Sequence, residues 1–196
     1  MLFSVVVTIY EGDQVFLPRA MTGLLNQSFK DFEVIVVVDG EAPLRPYDPH
    51  HVCGRTVPAR VVYRPRSDTI GFRERHYSLG LARGQYVAWL NGDNLVYPNW
   101  LACHRENVTE NPGAISVVNV QYWRHHDYRG VLPTALAYGQ IDLLNYALPL
   151  ALARRADVFG PAVERIPHAD WLAFESCARE TPVVWNPAQP VCACHF

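Results

Sequence analysis

Asn91-Gly92-Asp93-Asn94 follows Tyr86-Val87-Ala88-Trp89-Leu90, an apolar run that reads as a buried strand, and precedes Pro98-Asn99-Trp100, where a helix can begin. A carboxylate at the C-terminal end of a buried strand lies where open α/β sheets bind their ligands. Asp93 could hold a divalent cation there, against the phosphates of a nucleotide. Asp39 ends a second apolar run, Phe32-Glu33-Val34-Ile35-Val36-Val37-Val38, and is followed by Gly40. It is either a ligand-facing carboxylate or the start of an ordinary Asp-Gly turn. Asp170, in Pro167-His168-Ala169-Asp170-Trp171-Leu172, precedes a helical run. Backbone N–H groups and the helix dipole would keep it ionised there, which suits a general base and an N-cap equally. His168 is the second candidate for the base, because its ordinary pKa is close to neutrality.

The elements around these residues follow from hydrophobic periodicity. Phe3-Ser4-Val5-Val6-Val7-Thr8-Ile9 is a β-branched run suited to a parallel strand covered on both faces. Val15, Phe16, Ala20, Leu24 and Leu25 recur at helical spacing, with Asp13 as the expected N-cap. A Pro-rich connection, residues 41–58, leads to a short strand at Val61-Val62-Tyr63, and residues 71–83 read as a helix before the strand at 86–90. The order β-α-β-loop-β-α-β predicts a mostly parallel sheet with right-handed crossovers. Beyond it, helices are expected at 100–110, 138–145 and 168–179. Strands are expected at 114–120 and 183–185, a strand or buried segment at 148–153, and a loop or hairpin at 121–134.

The chain has 196 residues, 49% hydrophobic and 18% charged, with a formal net charge of −2. That length fits one sizeable core, and no linker or repeat divides it. The charge gives no reason to expect nucleic acid or an anionic membrane as a partner. Lys30 is the only Lys, so no Arg carries weight merely for being Arg. Cys53, Cys103, Cys177, Cys192 and Cys194 form no C-x-x-C pair and no even-numbered disulfide framework, which fits a reducing compartment. Cys192-Ala193-Cys194-His195 offers only three metal-ligand candidates, at a terminus expected to fray. The first apolar run is too short for a signal peptide or a membrane span. A cytoplasmic location is therefore expected. No Gly-x-Ser-x-Gly elbow occurs.

Three blocks together carry a family likeness. They are Ser4-Val5-Val6-Val7-Thr8-Ile9-Tyr10-Glu11, then Leu25-Asn26-Gln27-Ser28-Phe29-Lys30-Asp31 running on to Asp39-Gly40, and Ala82-Arg83-Gly84-Gln85-Tyr86 running on to Asn94. In order and spacing the chain resembles the inverting GT-A glycosyltransferases of family 2, in particular their SpsA-like bacterial members. The resemblance is close over residues 3–105 and weaker over 154–185. It implies a single α/β domain of GT-A (Rossmann-like) fold, residues 1–196, with a central mostly parallel sheet flanked by helices. Residues 1–105 would bind the nucleotide sugar, and 106–196 would bind the acceptor and carry the base.

By that resemblance Thr8, Tyr10 and Glu11 lie at the turn that receives the nucleoside, where the Tyr10 ring could stack on the base; the same ring could instead cap the edge of the core. Asp39 matches the carboxylate that accepts the uracil imide N–H, which would favour uracil or thymine over cytosine. The usual preceding Asp is replaced by Val38. Arg75 matches an Arg that faces the nucleotide or its diphosphate, with His76 in place of Asn and Arg73 as a competitor. Asn91-Gly92-Asp93 replaces the acidic D-x-D element, leaving Asp93 as the metal carboxylate for Mn²⁺ or Mg²⁺, or else a plain turn. Asp170 matches the general base, with Ala169 where Glu is common. Arg154-Arg155 matches a basic pair that orients its segment, and Trp123, His125, His126 and Tyr128 could wall an acceptor site.

These matches point to an inverting glycosyltransferase with a UDP- or dTDP-sugar donor, a divalent cation, and a carbohydrate or small-molecule acceptor. A nucleotidyltransferase would need a Gly-rich basic loop after the first strand, and Tyr10-Glu11-Gly12-Asp13 is acidic with a single Gly. A non-catalytic nucleotide-sugar-binding protein, or a degenerate partner subunit, is the other reading. The departures at Val38, Gly92 and Ala169 sustain it.

Overall fold

The computed structural model describes residues 1–41, 57–67, 69, 71–124, 127–161 and 168–195. Strands β1 (Phe3–Tyr10), β2 (Phe32–Asp39), β3 (Ala59–Arg64) and β4 (Tyr86–Asn91) form the parallel part of a seven-stranded sheet. Strands β6 (Ile115–Val117), β9 (Tyr146–Pro149) and β10 (Val183–Trp185) complete it in the order β10-β6-β9-β4-β1-β2-β3, with β9 antiparallel to both neighbours. Helices α1 (Leu17–Leu25) and α3 (Trp100–Glu110) cover one face. Helices α2 (Phe72–Leu81), α4 (Leu150–Arg155) and α5 (Ala169–Ala178) cover the other.

Strand alternation explains both layers and the site. Val5 and Val7 pack toward α1 and α3, while Val6, Val37 and Trp89 pack toward α2, α4 and α5. Two residues further along, the same alternation brings Thr8, Asp39 and Asn91 onto the α2 side. The register pairs Tyr10 with Asp39 and Thr8 with Asn91, so β1 and β2 end level and β4 ends two residues short of them. Trp89 is fully buried between Phe159 and Tyr146, with ring centroids at 5.2 and 6.0 Å. Its truncation to Ala would cost about 3–5 kcal/mol and would loosen the strand end that carries Asn91.

A second, four-stranded sheet runs β5-β11-β7-β8 through Leu95–Val96, Ala193–His195, Val120–Arg124 and Asp127–Leu132. The hairpin expected over 121–134 is β7–β8, and His125 and His126 at its tip lie outside the described residues. The terminus expected to fray is instead an inner strand. Strand β11 pairs with β5 and β7, Cys192 and Ala193 are fully buried, and Asn119 anchors the segment by donating to Pro187 O and Gln189 O.

Several other expectations are corrected. The helix expected over 138–145 is a single 3-10 turn, Leu143–Asn145. Asp142 accepts from Leu144 N while Asn145 Oδ1 accepts from Asp142 N, and this reciprocal cap closes the turn. Residues 148–153 split between β9 and α4. The strand expected over 114–120 ends at Val117, and Val120 opens β7 in the other sheet. Asp13 does not cap α1: a 3-10 turn, Glu11–Phe16, intervenes, and Phe16 holds the N-cap position. Of the Pro-rich connection, residues 42–56 with Cys53 lie outside the described residues.

Candidate active site

A cleft of about 500 Å³ opens at the C-terminal ends of β1, β2 and β4. Thr8, Ile9 and Tyr10 line it from β1, Asp39 from β2 and Asn91 with Gly92 and Asp93 from the end of β4, together with Arg66, Ser67, Gly71 and Arg75. Tyr10 is the one exposed residue of β1, with its ring 6.0 Å from the Arg66 guanidinium. Gly71 has φ 80°, the left-handed region that costs a side chain energy, and it starts α2 beside Thr8. A Cβ at Gly92 would come within 3.0 Å of Ile9 Cδ1, so a small residue keeps this turn close to the strand.

Asp39 is buried, and its carboxylate is fixed by Ser67. The Ser67 N donates to Oδ1 at 2.6 Å and its hydroxyl to Oδ2 at 3.3 Å. The same hydroxyl lies 3.3 Å from both carboxylate oxygens of Glu74. Burial pushes the Glu74 carboxyl above its ordinary value, and the Asp39 charge adds to the rise.

Arg75 is 5% exposed and does not reach freely into the cleft. Its Nη2 donates to Asn91 Oδ1 at 2.9 Å, and Thr8 Oγ1 donates to the same oxygen at 3.3 Å. The Arg75 Nε has no hydrogen-bond partner among the described residues. Its Nη1 stands 3.8 Å from Asp170 Oδ1, which lines a second cleft of about 270 Å³. That cleft also has Tyr122, Leu132, Ile141, Asp142, His168 and Trp171 in its walls.

Asp170 lies in the first turn of α5, but the N-cap position belongs to His168, at φ 64°. Contrary to expectation, no backbone N–H among the described residues donates to the carboxylate, and Oδ1 accepts no hydrogen bond from them. Burial raises its pKa, Arg75 lowers it, Asp142 raises it and His195 lowers it, and the balance pushes it up to about 6. His168, the alternative base, stands exposed on the rim with Tyr138 at 4.8 Å.

Two residues that sequence reasoning missed complete the cluster. Strand β11 carries His195 to within 3.5 Å of Asp142, and Tyr122 stacks on its imidazole at 5.0 Å. Burial works against the imidazolium, yet the neighbouring Asp142, with Asp93 and Asp170, raises the His195 pKa. Burial likewise works to raise Asp142, and His195 overcomes it, holding that carboxyl below its ordinary range. The only signal in the sequence was the Cys-Ala-Cys-His run, read there as a partial metal site. Cys192 instead donates through Sγ to Asn119 O, and no group of three His, Cys, Asp or Glu residues among those described could hold a metal.

The structure thus brings Thr8, Tyr10, Asp39, Arg75, Gly92 and Asp93 into one cleft, with Asp170 in the adjoining one. Glu11 begins the 3-10 turn after β1, and its side chain lies outside the description. Arg73 lies on α2, with its backbone N–H donating to Thr69 Oγ1, and is not among the residues lining either cleft. Trp123 and Tyr128 pack on each other at 5.3 Å on the hairpin, and Tyr122 and Trp171 supply the aromatic wall in their place. Arg154 donates to Leu79 O and Ala82 O, tying α4 to the end of α2 as its expected orienting role requires.

Residues 4–161 match the family described as Glycosyl transferase family 2. An uncharacterized glycosyltransferase of Rickettsia typhi is 26% identical over 107 residues, covering 55% of this chain and 31% of that protein. One from Methanocaldococcus jannaschii is 26% identical over 107 residues, covering 51% and 34%. The match therefore spans about a third of the length of these two relatives. The crystal structure of S. aureus TarS 1-349 in complex with UDP has a TM-score of 0.75 at 18% identity, covering 100% of this chain and 60% of that one. The complex with UDP-GlcNAc has the same TM-score and identity, covering 100% and 58%. At this identity the likeness speaks to fold. Among the described residues no helix is long and apolar enough to cross a membrane.

Proposed function

The chain belongs to glycosyl transferase family 2 and has the GT-A fold, and from these we propose that it transfers a sugar, with inversion, from a UDP- or dTDP-linked donor to an acceptor hydroxyl. The observation that carries this reading is the pair of adjoining clefts, with Asp170 at their junction and a pKa of about 6. The UDP and UDP-GlcNAc held by the solved TarS structures support a uridine diphosphate donor.

In this mechanism Tyr10 stacks on the base and Asp39, pre-set by Ser67, accepts the imide N–H. The nucleoside diphosphate then extends over Thr8 and Gly71 toward Asp93. A single carboxylate beside the neutral Asn91 fits a hydrated Mg²⁺ or Mn²⁺ that arrives on the diphosphate, since Mg²⁺ usually keeps several waters in such sites. When bound, that cation would neutralise charge on the leaving group. Arg75 holds Asn91 and faces Asp170, so it sets the distance between donor and base. Asp170 takes the proton of the acceptor hydroxyl as that oxygen attacks the anomeric carbon opposite the diphosphate. Base assistance of this kind contributes about 10²–10⁴-fold.

Release of UDP from UDP-sugars, measured with Mn²⁺ in the presence and absence of added acceptors, tests the reading. Turnover that depends on Asp170 supports it. Tight UDP binding with no hydrolysis and no transfer from any donor would instead establish a nucleotide-sugar-binding protein.

A further inference from the structure

The cleft beyond Asp170 has a composition that selects its ligand. We propose that it receives an uncharged sugar ring, stacked on an aromatic wall, and disfavours phosphorylated or carboxylated acceptors. This rests on the glycosyltransferase reading and names the acceptor class for the same site.

The walls divide into two kinds of surface. Tyr122 and Trp171, with Leu132, give apolar and aromatic area. Trp171 is half-buried and held by Phe174 at 5.4 Å, with Tyr138 edge-on to it at 6.2 Å. Rings held by neighbours in this way offer apolar area to the C–H side of a pyranose at little entropic cost. A volume of about 270 Å³ suits one ring with its hydroxyls.

The polar wall is two carboxylates, Asp142 and Asp170, with the His168 imidazole at the exposed rim. Asp142 is locked by Leu144 N and Asn145, and His195 holds it ionised. Asp170 lines the same cleft, and its buried Oδ1 accepts no hydrogen bond among the described residues. An ionised carboxylate only accepts hydrogen bonds, so the pair calls for a ligand that donates them. Sugar hydroxyls donate. A phosphate or uronate would bring acceptor oxygens and a further negative charge against two carboxylates already present. Arg75 beside this cleft bonds Asn91 and faces Asp170, and His195 faces Asp142. Among the described lining residues none is Lys or Arg.

Saturation-transfer NMR on the full chain with UDP and Mg²⁺ tests the proposal. The probes are methyl glycosides of common hexoses, their 6-phosphates and the matching uronates. At neutral pH at least one neutral glycoside should bind, with its ring protons saturated, and its charged counterparts should bind at least about tenfold more weakly. Trp171→Ala should abolish neutral-sugar binding. Because that variant could fold poorly, Asp142→Asn provides a second arm: Asn caps as well as Asp, and loss of the charge should narrow the neutral-to-phosphate ratio. A 6-phosphate or uronate that binds as well as the neutral sugar overturns the proposal. So does binding unchanged in a folded Trp171→Ala, an unchanged ratio in Asp142→Asn, or silence from every neutral glycoside. In each of those cases retained UDP affinity leaves the donor reading standing, whereas loss of UDP binding by the wild type would overturn the donor reading itself.

Discussion

Arg75 Nη1 lies 3.8 Å from Asp170 Oδ1, while Nη2 of the same guanidinium donates to Asn91 Oδ1 at 2.9 Å. One buried side chain therefore touches both the strand end that carries Asp93 and the carboxylate of the second cleft. The Asp170 contact is single and long, well short of a bidentate pair. It lowers the carboxyl pKa less than burial raises it, and the balance stands at about 6. Such a group is largely ionised at neutral pH, yet about a hundredfold more basic than an ordinary Asp.

Asp170→Asn should separate binding from chemistry. Donor affinity should change little, while turnover falls by about 10²–10⁴-fold. Turnover of the wild type should rise with pH along a limb centred near 6, the value at which the base ionises. Stability should move the other way. A carboxyl whose folded pKa is raised from 3.8 to about 6 costs stability when it ionises. That cost is absent below about pH 4, grows through the interval and is complete above about pH 6, and the Asn variant should flatten this part of the stability profile. Calorimetric melting and a pH–rate series read both. Near-normal transfer by the variant would move the assignment to His168.

Asp93→Ala should weaken UDP binding in the presence of Mn²⁺ and leave it unchanged in EDTA. The residue sits in a turn that lines the cleft, half-buried, so the fold should tolerate the change. Titration calorimetry under both conditions is the measurement. Equal UDP affinity with Mn²⁺ and with EDTA in the wild type would remove the metal from the proposal.

The first half was legible because strand alternation and chain order are local properties. Val6 to Thr8, Val37 to Asp39 and Trp89 to Asn91 each follow the two-residue period, and parallel pairing sets Thr8 beside Asn91 and Tyr10 beside Asp39. The second half was less legible because its partners are distant in sequence. His195 meets Asp142 only after β11 slots between β5 and β7, a non-local pairing that periodicity does not encode. Residues 138–145 showed apolar spacing compatible with a helix, but the Asp142–Asn145 cap and the Asn145 amide bonds to Val118 O and Leu132 O fixed a single turn. The Asp170 environment was misjudged for a related reason. Its place near a helix start suggested an ionised cap, whereas burial, which depends on the whole fold, sets its pKa.

Ser67→Ala should blunt the preference for uridine over cytidine nucleotides without changing the metal dependence. The Ser67 N–H would still hold Asp39 Oδ1, but Oδ2 and the Glu74 carboxyl would lose the hydroxyl that lies within hydrogen-bonding distance of both. Asp39→Asn should go further, since its amide no longer offers two acceptor oxygens to the imide N–H. Competition of UDP and CDP for the protein gives the ratio. A wild type that binds the two equally would leave Asp39 with no part in base selection.

The last prediction concerns the sign of two shifts in the pH–rate profile. His195 favours the ionised form of Asp170 and Asp142 opposes it, and the Asp142 influence is the larger of the two. His195→Gln removes a positive charge from the cluster, so the limb near pH 6 should move to higher pH. Asp142→Asn removes a negative charge, so the same limb should move to lower pH. Asn at that position can still accept from Leu144 N, which keeps the 3-10 turn and with it the wall of the second cleft. A merely structural role for either residue would lower activity at every pH and leave the midpoint in place. Opposite displacements are therefore the signature of electrostatic coupling to the base. Shifts in the same direction, or none, would mean that Asp170 is not the group whose ionisation controls the rate.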